Sequence, residues 1–226
     1  LYNCPKLTRL PDFYYNLPNV QAFNLARNKG ISAAQLRDDW EQMATSKIGK
    51  TLQILYLSHN NLEEFPASWA LRNMLKLGLL DLANNNIKKV HAFGKEVELA
   101  SLYLNNNQIE EIPADLCGFS DNTESLNFSY NKLKKIPNIF DASSIHVMGS
   151  VDFSNNEITG VDNAGGYKGI NASTVSLANN KLAKFPSELI SAGSPIITLD
   201  LSGNQMTSIP KGSIRGKYAY LLQVLD

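Results

Sequence analysis

Leu52-Gln-Ile-Leu55-Tyr-Leu57-Ser-His-Asn60 and Leu99-Ala-Ser-Leu102-Tyr-Leu104-Asn-Asn-Asn107 are two copies of one pattern, with apolar residues at places 1, 4 and 6 and asparagine at place 9. The frame extends in both directions. It fits Val20, Phe23, Leu25, Asn28; then Leu77, Leu80, Leu82, Asn85; then Thr123, Leu126, Phe128, Asn131. It continues as Met148, Val151, Phe153, Asn156; Ala172, Val175, Leu177, Asn180; and Ile196, Leu199, Leu201, Asn204. A further copy is entered midway at Leu1-Tyr-Asn-Cys4, with Cys4 at place 9. Successive place-9 residues are spaced 24, 32, 25, 22, 24, 25, 24 and 24 apart. Recurrence at a fixed period of this length marks a solenoid.

On these residues the chain resembles the leucine-rich-repeat family. The resemblance implies an α/β solenoid, a horseshoe whose concave face is a parallel β-sheet and whose convex face is mostly short 3₁₀ and loop segments. It is read as one array over residues 1–226 of about nine repeats, with a tenth begun at Leu222-Gln-Val-Leu225. Neither end shows a polar capping repeat, so the array is expected to be a piece of a longer one.

The pattern has a physical basis. Places 4 and 6 alternate with polar neighbours, the period of a half-buried strand. Places 3, 5 and 7 are therefore expected to face outward. Asparagine at place 9 both donates and accepts, so a column of such amides can tie neighbouring turns together. Proline at 11, 66, 113, 137, 186 and 210 suits the turn onto the return arm, since it lacks a donor and fixes φ. Core-facing residues are expected three places on, at Tyr14, Trp69, Leu116, Phe140 and Leu189. The 32-residue interval carries Ser32 and Gln35 as a capping box, with Leu36, Trp40 and Met43 on one helical face. A helix on the convex side is predicted over about 32–46, with Trp40 in the core.

Composition narrows the function classes. The 226 residues are 43% hydrophobic, with 21 basic and 21 acidic side chains. A neutral chain without a basic block is not a candidate for nucleic acid. No apolar run approaches the length of a membrane span. Cys4 and Cys117 lie four repeats apart, about 19 Å along the stack, too far for a disulfide. Cys117 reads as a buried thiol. His59, His91 and His146 show no metal-ligand spacing, and the stretch 162–169 lacks both the P-loop and the EF-hand patterns. No catalytic constellation and no cofactor site is found; the chain reads as a non-enzyme. The pairs Glu63-Glu64, Lys88-Lys89, Glu110-Glu111 and Lys134-Lys135 fall on successive turns and read as a self-neutralising edge.

What remains is the outward face of the strands. Place 5 carries Asn24, Tyr56, Asp81, Tyr103, Asn127, Asp152, Ser176 and Asp200, and place 8 adds His59 and Tyr130. Tyrosine is enriched where proteins bind. The candidate ligand face is therefore Tyr56, His59, Asp81, Tyr103, Asn127, Tyr130 and Asp152. Protein or peptide binding is the leading expectation. A glycan stacked on the tyrosines and a ligand-free spacer in a larger surface protein are the alternatives. A looser resemblance, to large bacterial surface leucine-rich-repeat proteins, implies an extracellular or cell-surface setting.

Overall fold

The computed structural model describes residues 1–65, 68–92, 97–116, 123–139, 148–162, 169–191, 194–216 and 219–226. Nine short strands follow one another: β1 (Ala22–Asn24), β2 (Ile54–Tyr56), β3 (Leu79–Asp81), β4 (Ser101–Tyr103), β5 (Ser125–Asn127), β6 (Met148–Asp152), β7 (Ala172–Ser176), β8 (Thr198–Asp200) and β9 (Val224–Leu225). They pair in chain order into one parallel sheet. Each place meets the same place of the next copy, as in Ala22 with Ile54, Ile54 with Leu79 and Leu79 with Ser101. The 32-residue interval causes no slip, because its extra residues leave on the far side of the sheet.

The apolar places build the core. Leu25, Leu55, Leu80, Leu82, Leu102, Leu104, Val175 and Leu177 are wholly buried, and the stacked rings of Phe128 and Phe153 fill place 6 of two neighbouring turns. The place-9 asparagines hold the register as expected. Asn107 donates to the carbonyls of Leu104 in its own turn and Leu82 in the turn before, and its Oδ1 accepts from the Ile87 amide. Asn85, Asn131, Asn156, Asn180 and Asn204 repeat this three-way bridge. At the start of the column Cys4 gives only a long Sγ contact to the Tyr2 carbonyl, and its amide donates to Asn28.

The long interval forms α1 (Ala33–Thr45), with Leu36, Trp40 and Met43 buried as expected. Ser32 caps it by accepting from the Gln35 amide, but the Gln35 side chain does not complete the box. It donates instead to Asp39, which the Tyr15 hydroxyl also reaches at 2.8 Å. Burial and the Asp39 carboxylate together push the Tyr15 phenol above its usual 10.0. Two shorter helices, α2 (Ser68–Asn73) and α3 (Ser187–Ser191), add to the return arms, so the convex side holds more α-helix than one insertion.

Three expectations need correction. Place 7 does not face outward in most copies: Ala26, Ser58, Ala83, Ser129 and Ala178 are buried where the chain turns inward between adjacent turns, while Asn105 and Ser154 are half-buried and Ser202 is exposed. Ser101, at place 3, is also buried. Trp69 is not a core residue but 40% exposed; the six-residue helix α2 turns Ala70 and Leu71 inward instead. Leu116 and Leu189 are buried as expected and Tyr14 is half-buried. Cys117, Phe140, His146, Pro66 and most of the stretch 162–169 lie outside the described residues.

Candidate functional site

Two local rules shape the open face of the sheet. The first concerns place 8, whose backbone is left-handed in every copy: Asn3, Arg27, His59, Asn84, Asn106, Tyr130, Asn155, Asn179 and Gly203 all have φ between 54° and 67°. Asparagine and glycine tolerate this conformation, whereas other side chains lose about 1–2 kcal/mol there. Arg27, His59 and Tyr130 depart from that rule.

The second concerns place 5. Asn24, Asp81, Asn127, Asp152 and Asp200 each turn Oδ1 back onto the amide two residues on, at 2.8–3.0 Å, and Ser176 does so weakly. These are Asx turns, which cap the strand as it ends. The signal was present in the sequence as Asx or Ser recurring at place 5 ahead of a small residue at place 7. Tyr56 and Tyr103 are the exceptions. A phenol cannot reach the amide of Ser58 or Asn105, so each tyrosine forgoes the cap that its neighbours make.

The candidate residues fall into two groups. Tyr56, Asp81, Tyr103, Asn127 and Asp152 stand side by side on β2 to β6, in register and half-buried. Half-buried Ile54 and Leu79 form the adjoining row on β2 and β3. His59 and Tyr130 lie off this row, on the turns leaving β2 and β5, and Tyr130 is 56% exposed. Arg27, which was not among the candidates, reaches the His59 ring at 3.5 Å across the turns.

Burial first, and then the neighbouring Arg27, hold the His59 imidazole below its usual 6.5, with Asp81 opposing. The fold therefore prefers the neutral ring. The contribution of His59 to stability is present above its usual 6.5 and declines as the pH falls and the unfolded chain takes up a proton more readily than the fold. His59→Asn is expected to raise the unfolding free energy by about 0.5–1 kcal/mol by suiting the left-handed backbone. It should also flatten the decline between pH 7 and 5, as read from urea midpoints across that range. A variant less stable than the parent at every pH contradicts the strain argument.

The charged pairs lie along the edge beyond the asparagine column. Lys134 Nζ meets Glu110 Oε2 at 3.0 Å, and Lys181 meets Glu157 at 2.7 Å one column nearer the strands. The first bond raises the Lys134 ammonium and the second lowers the Glu157 carboxyl from their usual values. Glu64 and Lys89 are bridged through their backbones. The two ion pairs are solvated contacts between neighbouring turns, so they tune register more than stability. Among the described residues no group of three or more His, Cys, Asp or Glu could hold a metal, and no helix is long and apolar enough to cross a membrane.

Comparison with known proteins agrees with this architecture. The family model described as "Leucine rich repeat" matches residues 50–109, the segment that holds Tyr56, Asp81 and Tyr103. Rat lumican is 32% identical over 173 residues, 72% of this chain and 48% of lumican. Rabbit lumican is 32% identical over 133 residues, 54% of this chain and 68% of the rabbit sequence. Chicken tsukushi is 31% identical over 201 residues, 87% of this chain and 53% of tsukushi. The chain spans about half the length of most of these curated relatives. Two solved structures are nearer: a leucine-rich repeat protein from Bacteroides thetaiotaomicron, 54% identical with a TM-score of 0.93, and one from Bacteroides eggerthii, 48% identical with a TM-score of 0.91. Both cover all of this chain, which covers 28% and 38% of theirs.

Proposed function

We propose that this chain, which belongs to the leucine-rich-repeat family, is a non-catalytic interaction module that holds a protein or peptide on its concave sheet. Leucine-rich-repeat proteins are generally protein-interaction modules, and stacked repeats make the extended surface such binding needs. The observation that carries the reading is the pair Tyr56 and Tyr103. At a place where six other copies use Asn, Asp or Ser to cap a strand, these two give up the cap and present a half-buried ring. A local cost that the fold does not need points to use elsewhere. The likeness to Bacteroides proteins supports a bacterial source, and we place the module at the cell surface or outside the cell.

The test is a random-peptide display selection against the parent chain and against the double variant Tyr56→Asn, Tyr103→Asn. Asparagine restores the missing caps, so the double variant is expected to stay within about 1 kcal/mol of the parent in stability. Peptides enriched on the parent should lose at least tenfold affinity for the variant. If no sequence enriches on the parent, the chain does not hold a peptide; if enriched peptides bind both chains alike, the concave face is not the binding surface. A glycan-array signal that disappears with Tyr103→Asn, in the absence of peptide enrichment, would replace peptide by saccharide.

A further inference from the structure

Register places three particular side chains together. Tyr56, Asp81 and Tyr103 are direct partners across β2, β3 and β4. Adjacent strands lie about 4.8 Å apart, so the tyrosines stand about 10 Å apart with a carboxylate midway between them. A cation over that carboxylate lies about 5 Å from each ring column, within the roughly 6 Å at which an aromatic face attracts positive charge.

The carboxylate is only half used. Asp81 Oδ1 accepts from the Ala83 amide, and no described protein group hydrogen-bonds Oδ2. Neither phenol hydroxyl is bonded to a described residue, so both rings are unencumbered by polar partners. The sign of the surrounding face agrees. Places 3 and 5 along the sheet carry Asp81, Asp152 and Asp200 and no lysine or arginine. The neighbouring cation at place 8, Arg27, is directed to His59. Beside the trio, Ile54 and Leu79 offer an apolar floor suited to the methylene stem of a long side chain.

Resting on the concave-face reading above, we infer that Tyr56, Asp81 and Tyr103 form a cradle for an arginine side chain of the bound peptide. The guanidinium lies between the two rings and donates to Asp81 Oδ2. Arginine fits better than lysine because its planar, weakly hydrated head stacks on aromatic faces while its edge N–H groups remain free to donate. Asp81, like Asp152 and Asp200, is a charge that no described cation neutralises by direct contact, and it alone has a tyrosine on both sides.

The experiment uses the full chain with ring-¹³C tyrosine and the probe peptide acetyl-Gly-Arg-Gly-amide, with its citrulline and lysine counterparts, followed by NMR. The arginine peptide should shift the Tyr56 and Tyr103 ring signals saturably in the millimolar range. The citrulline peptide, matched in shape but uncharged, should bind at least tenfold more weakly, and the lysine peptide several-fold more weakly. Asp81→Asn should weaken the arginine peptide at least fivefold. It keeps the strand cap, since Asn24 and Asn127 make that bond elsewhere in the sheet, so misfolding does not explain a loss. Equal binding of arginine and citrulline peptides, equal binding of lysine and arginine, or an Asp81→Asn chain as tight as the parent each overturns the assignment. Peptides that enrich in the display selection and lose affinity for the tyrosine double variant, while showing no arginine preference, leave the concave-face reading standing and remove the arginine cradle alone.

Discussion

Asn107→Ala is expected to lower the free energy of unfolding by about 3 kcal/mol, a large effect for a single polar substitution. The side chain is buried, donates at 3.0 Å to the carbonyls of Leu82 and Leu104, and accepts at 3.0 Å from the Ile87 amide. Alanine orphans the buried Ile87 amide and takes one of two donors from each carbonyl, Leu82 keeping Asn85 and Leu104 keeping Asn131, and a buried orphan costs about 1–3 kcal/mol. Asn107→Asp is expected to be at least as harmful at neutral pH. It keeps the shape and the acceptor, but replaces both donated bonds with a negative charge facing two carbonyls. Urea unfolding followed by far-UV circular dichroism reads both variants. The neighbouring Asn106→Gly serves as control, because its left-handed backbone suits glycine as well as asparagine. If Asn107→Ala falls within about 1 kcal/mol of that control, the amide column does not hold the stack.

Trp40 carries the second large effect. Its side chain is fully buried on α1, tilted against Phe65 at a centroid distance of 5.9 Å. Removing the ring in Trp40→Ala should cost about 3–5 kcal/mol through lost burial and an unfilled cavity. Trp40→Phe should cost far less, below about 1.5 kcal/mol. The indole Nε1 is buried without a hydrogen-bond partner among the described residues, so phenylalanine removes an unsatisfied donor along with part of the ring. The comparison of the two variants by equilibrium unfolding separates volume from polarity. Equal losses would mean that Nε1 is satisfied in solution, and that the indole is held by its donor as well as by its bulk.

Periodicity made the fold legible because one strand pairing is repeated in every turn. Once Leu55, Leu57 and Asn60 are aligned with Leu102, Leu104 and Asn107, the direction, order and register of the strands all follow. The capped helix was legible for the same local reasons, through Ser32 and the buried face of Leu36, Trp40 and Met43. Place 7 was misread because alternation was extended one residue too far. The strand has ended there, and Ala26 or Ser58 is small because it lies between turns. Trp69 was misplaced by treating the return arm as having a fixed phase, whereas α2 rotates Ala70 and Leu71 inward. In the candidate site, the row from Tyr56 to Asp152 was assembled correctly as a set of neighbours. Residue identity did not show the second duty of its members: the Oδ1 atoms of Asp81, Asn127 and Asp152 also serve the backbone, and only φ values reveal that His59 and Tyr130 occupy a strained position. Those are conformational facts, which identity alone conveys poorly when most copies satisfy them with the same two or three residue types.

The three-way bridge of each asparagine has an architectural corollary. Its bonds reach its own turn and the turn before, and go no further. A whole unit of about 24 residues spliced in or cut out between two such junctions leaves every other bond of the column unaltered. The face therefore lengthens or shortens only in whole steps of about 4.8 Å, like the graduations of a rule. Whatever spans it must have its recognised groups at multiples of that interval, and Tyr56 and Tyr103 stand two graduations apart.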